Sequence, residues 1–318
     1  MADLILHHYP MSPFAEKMRL VMGYKKLAWK SVIVPSILPK PDVEALTGGY
    51  RKTPFLQIGA DIYCDTALIC DVLEHLQPEP TLYPPQHKGL ARTVAQWADT
   101  ALFWAAMAHN FSPRGTAQLF GGSPDAPAEQ WGAVAKPFAE DRAKMRSGMP
   151  RMPAGEASAS YKSYLRRMAN MLEGQGFLLG NSPCVADFAA YHPLWFTRTQ
   201  TSVMAGILDA TPSVLAWLDR MAAFGHGSMQ KFSSVEAIAV SAAATPTSVV
   251  NEPFIDEHGI PLGSEVAVTA ESFGLEPTVG TLVAATRMHV TLRRIDARAG
   301  TVHVHFPRLG YIMKKLDK

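Results

Sequence analysis

Cysteine is scarce in this chain of 318 residues, and the three that occur are Cys64, Cys70 and Cys184. An odd, widely spaced set without metal-ligand spacing favours a reducing compartment over a disulfide framework. No apolar run approaches the length of a membrane span, and the chain enters a strand-like stretch at Leu4 without the features of a signal peptide. These absences predict a cytoplasmic protein with no membrane partner.

A dominant charge is also missing, because 30 basic residues face 28 acidic ones and the net charge is only +2. That balance gives no overall attraction to nucleic acid. The sequence contains neither a glycine-rich phosphate loop nor the serine elbow of many hydrolases. The length allows two or three domains, each with its own core.

The first chemically suggestive stretch is a strand running into a helix. The apolar strand ends at Tyr9, and Ser12 stands directly before Pro13, as an N-cap residue followed by proline at the first helical position. The helix continues to Gly23 and presents unpaired N–H groups beside a hydroxyl. Such a helix start suits an anion such as a thiolate, although capping alone would also explain Ser12.

Two further stretches follow in the same domain. Pro54 precedes a short strand, so the backbone of Thr53 is free to pair with something outside the sheet. After a hairpin, Asp65 caps a helix that begins at about Thr66. The N–H groups of that cap and the Thr66 hydroxyl are suited to hold a carboxylate.

The order strand–helix–strand–helix–strand–strand–helix, with proline at the start of the third strand, resembles the thioredoxin-like domain of glutathione transferases. The resemblance is close over residues 4–76 and continues more weakly to about residue 230. It implies that glutathione is a co-substrate and that Ser12 hydrogen-bonds its sulfur. No cysteine lies near Ser12, which argues against the thiol-transfer and omega-like branches of the family.

The resemblance also implies which residues bind the other parts of glutathione. It implies a cis peptide at Pro54, with the Thr53 backbone pairing with the cysteinyl part. Asp65 and Thr66 stand where the family more often has Glu-Ser, and they would bind the γ-glutamyl end. Lys40, Arg51 and Lys52 are candidates for the glycine carboxylate, with Lys40 and Lys52 preferred; the alternative is that all three are solvated loop cations.

A Pro-rich linker leads to a helical region with aromatic residues at helical spacing. The resemblance makes its first long helix a wall of the site for the electrophilic substrate. We therefore predict a substrate pocket that includes Tyr9, Met11, Trp104 and Met107. Two alternatives stay open: that the aromatic side chains simply form a core, and that Tyr9 is the thiolate partner instead of Ser12.

Residues 111–155 are rich in glycine and proline and form an unusually long connection with one short helix near residues 136–145. As a hypothesis, this insertion is a lid over the substrate pocket. Further on, Gly180, Ala186 and Asp187 fit a helix-capping signature of the family, but Cys184 occupies its hydroxyl position. Because a thiol is a weak acceptor, Asp187 or Ser182 must supply more of the cap.

The last part of the chain switches to short alternating runs that indicate four or five strands. Its net charge is zero and it has few aromatic residues, so packing against the body of the protein is favoured over RNA binding. His303 and His305 share one face of a strand, but two ligands are too few for a closed metal site. We expect a surface ladder and no metal.

The sequence thus predicts an α/β thioredoxin-like domain (residues 1–78), an all-α domain (88–244) and a small all-β module (247–318). We expect a glutathione transferase, with the detoxification role that this family name implies, acting on a small electrophile, as a homodimer and without nucleic acid. The alternative is a non-catalytic glutathione-binding or interaction protein whose C-terminal module contacts protein or RNA.

Overall fold

The computed structural model of the chain describes residues 3–122, 128–146, 148–249 and 253–316. The helices are α1 (Pro13–Tyr24), α2 (Pro41–Thr47), α3 (Thr66–Leu76), α4 (Lys88–Trp97), α5 (Phe103–Asn110), α6 (Pro113–Leu119), α7 (Ala128–Arg146), α8 (Ala154–Met171), α9 (Val185–Trp195), α10 (Pro212–Ala222) and α11 (Ser234–Ala243). The strands are β1 (Ile5–His8), β2 (Ala28–Ile33), β3 (Phe55–Ile58), β4 (Asp61–Cys64), β5 (Ser228–Phe232), β6 (Glu265–Ala270), β7 (Thr278–Ala285), β8 (His289–Asp296), β9 (Gly300–Pro307) and β10 (Tyr311–Lys315).

The described strands form one continuous sheet in the order β10-β6-β7-β8-β9-β4-β3-β1-β2-β5. Its β2-β1-β3-β4 part, with β1 parallel to β2 and antiparallel to β3, is the predicted thioredoxin-like sheet. Helices α1 and α3 follow β1 and β4, which run in the same direction on either side of β3, so the starts of both helices lie at the same edge of the sheet. The predicted α/β domain is confirmed.

The C-terminal strands are an extension of this sheet. Strand β9 pairs in parallel with β4, with Asp61 opposite His303 and Tyr63 opposite His305. The strand-rich C-terminus and its packing against the body are therefore confirmed. The predicted surface ladder is wrong, because His303 and His305 are 9% and 5% exposed. Pairing with β4 buries both side chains, and this long-range contact has no local signature in the sequence.

At the other edge of the sheet, the structure differs from the prediction that the all-α domain extends to residue 244. Strand β5 pairs in parallel with β2, and α11 packs against α2 and β9. Residues 228–243 thus belong to the sheet-containing part of the protein and not to the all-α domain. The mostly exposed sequence of β5, Ser-Met-Gln-Lys-Phe, has no alternating pattern from which a strand could be predicted.

The all-α domain is built from α4, α5 and α8–α10, and α1 packs against α9. Asp187 carries the cap of α9: the backbone N–H groups of Cys184 and Leu178 and the indole N–H of Trp217 all donate to its carboxylate, at 3.0, 2.9 and 2.9 Å. The predicted role of Asp187 in capping is confirmed. Among the described residues, no helix is long and apolar enough to cross a membrane.

Helices α4 and α5 are one rod interrupted by a π-helical turn, Ala98–Leu102. Such turns are frequent at functional sites. Between α5 and α8 the insertion forms α6 and α7. Helix α7 is longer than the helix expected near residues 136–145, and residues 123–127 and 147 of the insertion lie outside the described part.

Candidate active site

A cavity of about 870 Å³ lies between the thioredoxin-like sheet, the all-α domain, α7 and the loops of the C-terminal strands. The residues predicted from the sequence come together in its wall: Tyr9, Met11, Ser12, Lys40, Lys52, Thr53, Asp65, Thr66, Trp104 and Met107. Pro54 is buried, and the Thr53–Pro54 peptide is cis, as expected.

Ser12 is the N-cap of α1 and is 2% exposed. Its hydroxyl oxygen accepts the backbone N–H of Ala15 at 3.2 Å, while its O–H faces the carbonyl oxygen of Thr53 at 3.5 Å. The first contact is the cap, whereas the second lies at the limit of a hydrogen bond. The hydroxyl proton is therefore available to an anion that enters between α1 and the Thr53 backbone.

Asp65 and Thr66 stand at the start of α3. Asp65 has φ 78° and ψ 135°, a conformation that costs a non-glycine residue about 1–3 kcal/mol and is common at ligand sites. Its carboxylate accepts the N–H of Ala67 at 2.9 Å and the hydroxyl of Tyr311 at 3.1 Å. Since a carboxylate offers about four lone-pair positions, it retains acceptor capacity for an ammonium group.

Thr66 contacts a buried network of charged side chains. The Lys17 ammonium donates to the Thr66 hydroxyl oxygen at 3.0 Å and to Asp99 at 2.6 Å. Asp99 lies on the π-helical turn and also accepts the ring N–H of His192 at 3.0 Å. Burial alone would lower the pKa of Lys17, but Asp99 raises it above its usual value. A permanent cation therefore fixes Thr66 with its hydroxyl proton free for a carboxylate.

The three loop cations surround another corner of the cavity. Lys40 and Arg51 are 6% and 5% exposed, so the alternative that they are solvated is wrong. Lys40 donates to the carbonyl of Arg51 at 3.2 Å, and the Lys52 ammonium lies 4.7 Å from the ring centre of Tyr311. Burial, together with Arg142 and Arg51, lowers the pKa of Lys40 to about 8. Burial also lowers the pKa of Lys52.

Arg51 is occupied by two acidic partners. It pairs with Asp141 on α7 and, at 2.6 Å, with Glu276 in the loop between β6 and β7. It therefore joins the thioredoxin-like part to the insertion and to the C-terminal strands. Lys40 and Lys52 have no acidic partner among the described ion pairs, so these two remain the candidates for a ligand carboxylate.

Parts of the chain outside the two family-like domains close the cavity. Arg142 on α7 donates to the Tyr9 hydroxyl at 3.2 Å, and Phe273 packs edge-on against Trp104 with ring centres 5.2 Å apart. The N–H of Gly274 donates to the carbonyl of Met145 at 2.8 Å. Helix α7 and the β6–β7 loop thus cover the cavity together. The insertion therefore lies over the cavity, where a lid is expected. Its opening and closing as a lid stays a hypothesis.

One part of the cavity wall is aromatic and cationic. Its rings come from α1, from α5 and the residue after it, from the residue after α6, from α7 and from the β6–β7 loop, and they are Phe14, Phe103, Trp104, Phe111, Phe120, Phe138 and Phe273. Arg146 lies 5.3 Å from the ring centre of Trp104, and Arg151 lies at the rim. Neither arginine has an acidic partner among the described residues. Such a wall fits a flat, anionic molecule.

The protein's own cysteines do not supply a reactive thiolate. All three cysteines are buried and free, and burial raises the pKa of Cys70 and of Cys184 to about 12. The pKa of Cys64 is raised well above its usual value for the same reason. A nucleophilic sulfur in this cavity would have to come from a bound ligand.

Sequence reasoning missed several residues of this site: Lys17, Asp99, Arg142, His192 and Tyr311. All five reach the site by contacts between distant parts of the chain, for which the sequence offers no local pattern; Lys17, for example, meets Thr66 and Asp99, 49 and 82 residues away.

Comparisons with known proteins agree with this geometry. Residues 6–81 match the family model described as "Glutathione S-transferase, N-terminal domain", and residues 153–220 match "Glutathione S-transferase, C-terminal domain". A GST-like protein from Pseudomonas syringae is 42% identical, with 99% of this chain and 100% of that one covered and a TM-score of 0.82. That relative therefore shares the C-terminal extension.

Two other matches are partial. A glutathione S-transferase from Rhodospirillum rubrum has a TM-score of 0.51 at 18% identity, covering 69% of this chain and 87% of that one, which shows the shared fold alone. FtsZ-localized protein A of Caulobacter vibrioides is 26% identical over 99 residues, or 30% of this chain. The chain spans only 43% of the length of that curated relative.

Proposed function

The chain belongs to the glutathione S-transferase family, and from this premise we propose that it binds glutathione in the cavity and transfers it to an electrophile. The observation that carries the proposal is the convergence of Ser12, Thr53 and the Asp65-Thr66 pair on one cavity wall. Each of these residues offers a group that a different part of the tripeptide requires.

The binding mode follows from the free donors and acceptors. The ammonium of the γ-glutamyl end meets Asp65, and its carboxylate meets the Thr66 hydroxyl, which Lys17 orients. The cysteinyl backbone pairs with Thr53. The glycine carboxylate lies toward Lys40 and Lys52, where positive charge is in excess.

The chemical step depends on the start of α1. A sulfur beside Ser12 receives the hydroxyl proton as a hydrogen bond and experiences the positive end of the helix dipole, and both interactions favour the thiolate. The thiolate forms a carbon–sulfur bond with the electrophile, and the leaving group or the new carbanion takes up the displaced charge. The serine remains unmodified throughout.

The electrophile in this proposal carries an aromatic ring and an anionic group. The ring is held by the aromatic wall, and the anion pairs with Arg146, which otherwise lacks an acidic partner among the described residues. Comparing kcat/KM for aromatic electrophiles with and without a carboxylate tests this assignment. Arg146→Met should reduce the preference for the carboxylated member at least about 10-fold, because a hydrogen bond to a charged group is lost.

The matched control is Arg166→Met, which removes an exposed arginine of α8. The substrate assignment is rejected if both variants keep the wild-type preference. Transfer as such is rejected if no electrophile is turned over although glutathione binds. That outcome supports the second candidate, an interaction protein with a glutathione site, which is suggested by the relative named for its localisation with FtsZ.

A further inference from the structure

A second polar cluster lies away from the cavity, where strand β9 joins strand β4. Asp61, His303 and His305 are 3%, 9% and 5% exposed, and the ligand atom that each offers lies within 4.8 Å of the other two. Among the described residues, no lysine or arginine forms an ion pair with Asp61. Besides its hydrogen bonds from Thr247, the buried carboxylate thus has two imidazole rings as its ionisable partners among the described residues, whereas buried charges are normally paired with a full opposite charge or bound to a metal.

The distances within the cluster are close to those of a coordination site. The Nε2 of His305 lies 2.9 Å from Oδ1 of Asp61, and the Nδ1 of His303 lies 3.8 Å from the same oxygen. Tetrahedral Zn²⁺ with bonds of about 2.0–2.2 Å separates its ligand atoms by roughly 3.3 Å. The two observed separations lie on either side of that value, and all three ligand atoms lie within 4.8 Å of one another, so the site needs a movement of the His303 ring but no change of fold.

One nitrogen atom of the cluster has no hydrogen-bond partner among the described residues. It is the Nδ1 of His303, which is buried. Buried polar atoms are nearly always satisfied, so an unpartnered nitrogen 3.8 Å from a carboxylate oxygen points to a ligand-binding role for this atom. The other ring nitrogen of His303 is the one left for its hydrogen bond with the Thr247 backbone.

The remaining atoms of the cluster have the outer partners that metal ligands usually have. Thr247 donates its N–H and its hydroxyl to Oδ2 of Asp61, at 2.9 and 2.8 Å. The Nδ1 of His305 lies 2.9 Å from the hydroxyl oxygen of Thr291. Such outer hydrogen bonds fix the tautomer and the orientation of metal-binding histidines.

We propose that Asp61, His303 and His305 bind one divalent first-row transition metal ion, with Zn²⁺ as the type case. Two imidazoles and a carboxylate suit Zn²⁺, Co²⁺ or Ni²⁺ better than Mg²⁺ or Ca²⁺. When the ion binds, Nε2 of His305 becomes a ligand, and the ring proton moves to Nδ1, where Thr291 accepts it. The ion joins β4 to β9 and so fastens the C-terminal strands to the thioredoxin-like sheet.

The test uses the full-length protein with Co²⁺ and Zn²⁺ alone as probes. We expect one equivalent of Co²⁺ to give the visible absorption of a low-coordinate site, and Zn²⁺ to displace it. Zn²⁺ at a hundred times its dissociation constant should raise Tm by about 5 °C, because it binds only the folded state. His303→Gln should weaken binding at least about 100-fold, since even outer partners are worth 10–100-fold.

The matched control is His75→Gln, which removes an exposed histidine of α3 and should leave metal affinity unchanged. X-ray absorption at the zinc edge of the wild-type protein gives a second readout that does not depend on any variant folding. Two imidazoles and one carboxylate oxygen in that spectrum support the proposal. It is overturned if the wild-type protein does not bind Co²⁺, or if His303→Gln binds it as tightly as the wild-type protein and the His75→Gln control.

Discussion

The hydroxyl of Ser12 has two tasks that its geometry keeps separate. Its oxygen accepts the Ala15 N–H and thereby caps α1, while its proton is held only by the 3.5 Å contact with Thr53. Because the proton is weakly engaged, it is free to turn toward a sulfur without loss of the cap. A residue that only capped the helix would not need to line a cavity.

Replacing Ser12 with alanine should reduce transfer about 10–100-fold at neutral pH, because one hydrogen bond to a charged sulfur is lost. Folding stability should also fall by about 1 kcal/mol through loss of the cap. Ser12→Thr, which keeps the hydroxyl, should retain most of the rate. The measurement is kcat/KM together with urea unfolding of each variant.

Ser233→Ala is the control for the capping effect, because Ser233 caps α11 through a bond of the same 3.2 Å length and lies outside the cavity. It should lose stability without loss of activity. An unchanged rate in Ser12→Ala would instead assign the thiolate to backbone N–H groups or to Tyr9.

The lowered pKa of Lys40, about 8, gives binding a distinctive pH dependence. Above pH 8 the free protein carries a mostly neutral Lys40, and a ligand carboxylate placed beside it favours the charged form. Binding at about pH 8.5 should therefore take up roughly half a proton. S-methylglutathione is the ligand of choice, because it has no thiol proton to release.

The uptake is measured by calorimetry in buffers of different ionisation enthalpy. Lys40→Met should reduce it to the share contributed by Lys52, whereas Lys231→Met, on the exposed strand β5, should not alter it. Zero uptake by the wild-type protein would show that Lys40 does not meet the carboxylate.

At the scale of single elements, the caps and turns explain which parts were predictable. Ser12 before Pro13, Pro54 before a strand and Asp65 before a helix are local signals, so the sequence alone located three cavity-forming stretches. Strand β5 has no such signal, since its residues are mostly exposed without apolar alternation and the strand is defined by its pairing with β2, which is distant in the sequence. Asp61 lies 244 residues from His305, and only the completed sheet brings them together.

The start of α9 offers an element-scale prediction. Asp187→Ala leaves the donors of Cys184, Leu178 and Trp217 buried without an acceptor, at a cost of roughly 3 kcal/mol or more. Urea unfolding measures this loss. Asp219→Ala, which removes an exposed ion-pair partner on α10, should change stability by less than about 1 kcal/mol. Equal effects of the two variants would contradict the capping role.

At the scale of the whole molecule, four parts of the chain line the cavity: the thioredoxin-like sheet, the all-α domain, α7 and the loops of the C-terminal strands. Arg51 pairs with acidic residues on both α7 and the β6–β7 loop, and the hydroxyl of Tyr311 reaches Asp65 from the last strand. The C-terminal extension therefore completes the site as well as the sheet. Ligand binding and the docking of these strands are expected to stabilise each other, because they share the same residues.

The most direct test of the account is the thiol pKa of glutathione bound to the wild-type protein, followed by the ultraviolet absorbance of the thiolate across pH. The account predicts a pKa at least about one unit below that of a free thiol, which is about 8.5. A bound thiol that titrates at or above the value of the free thiol would contradict it.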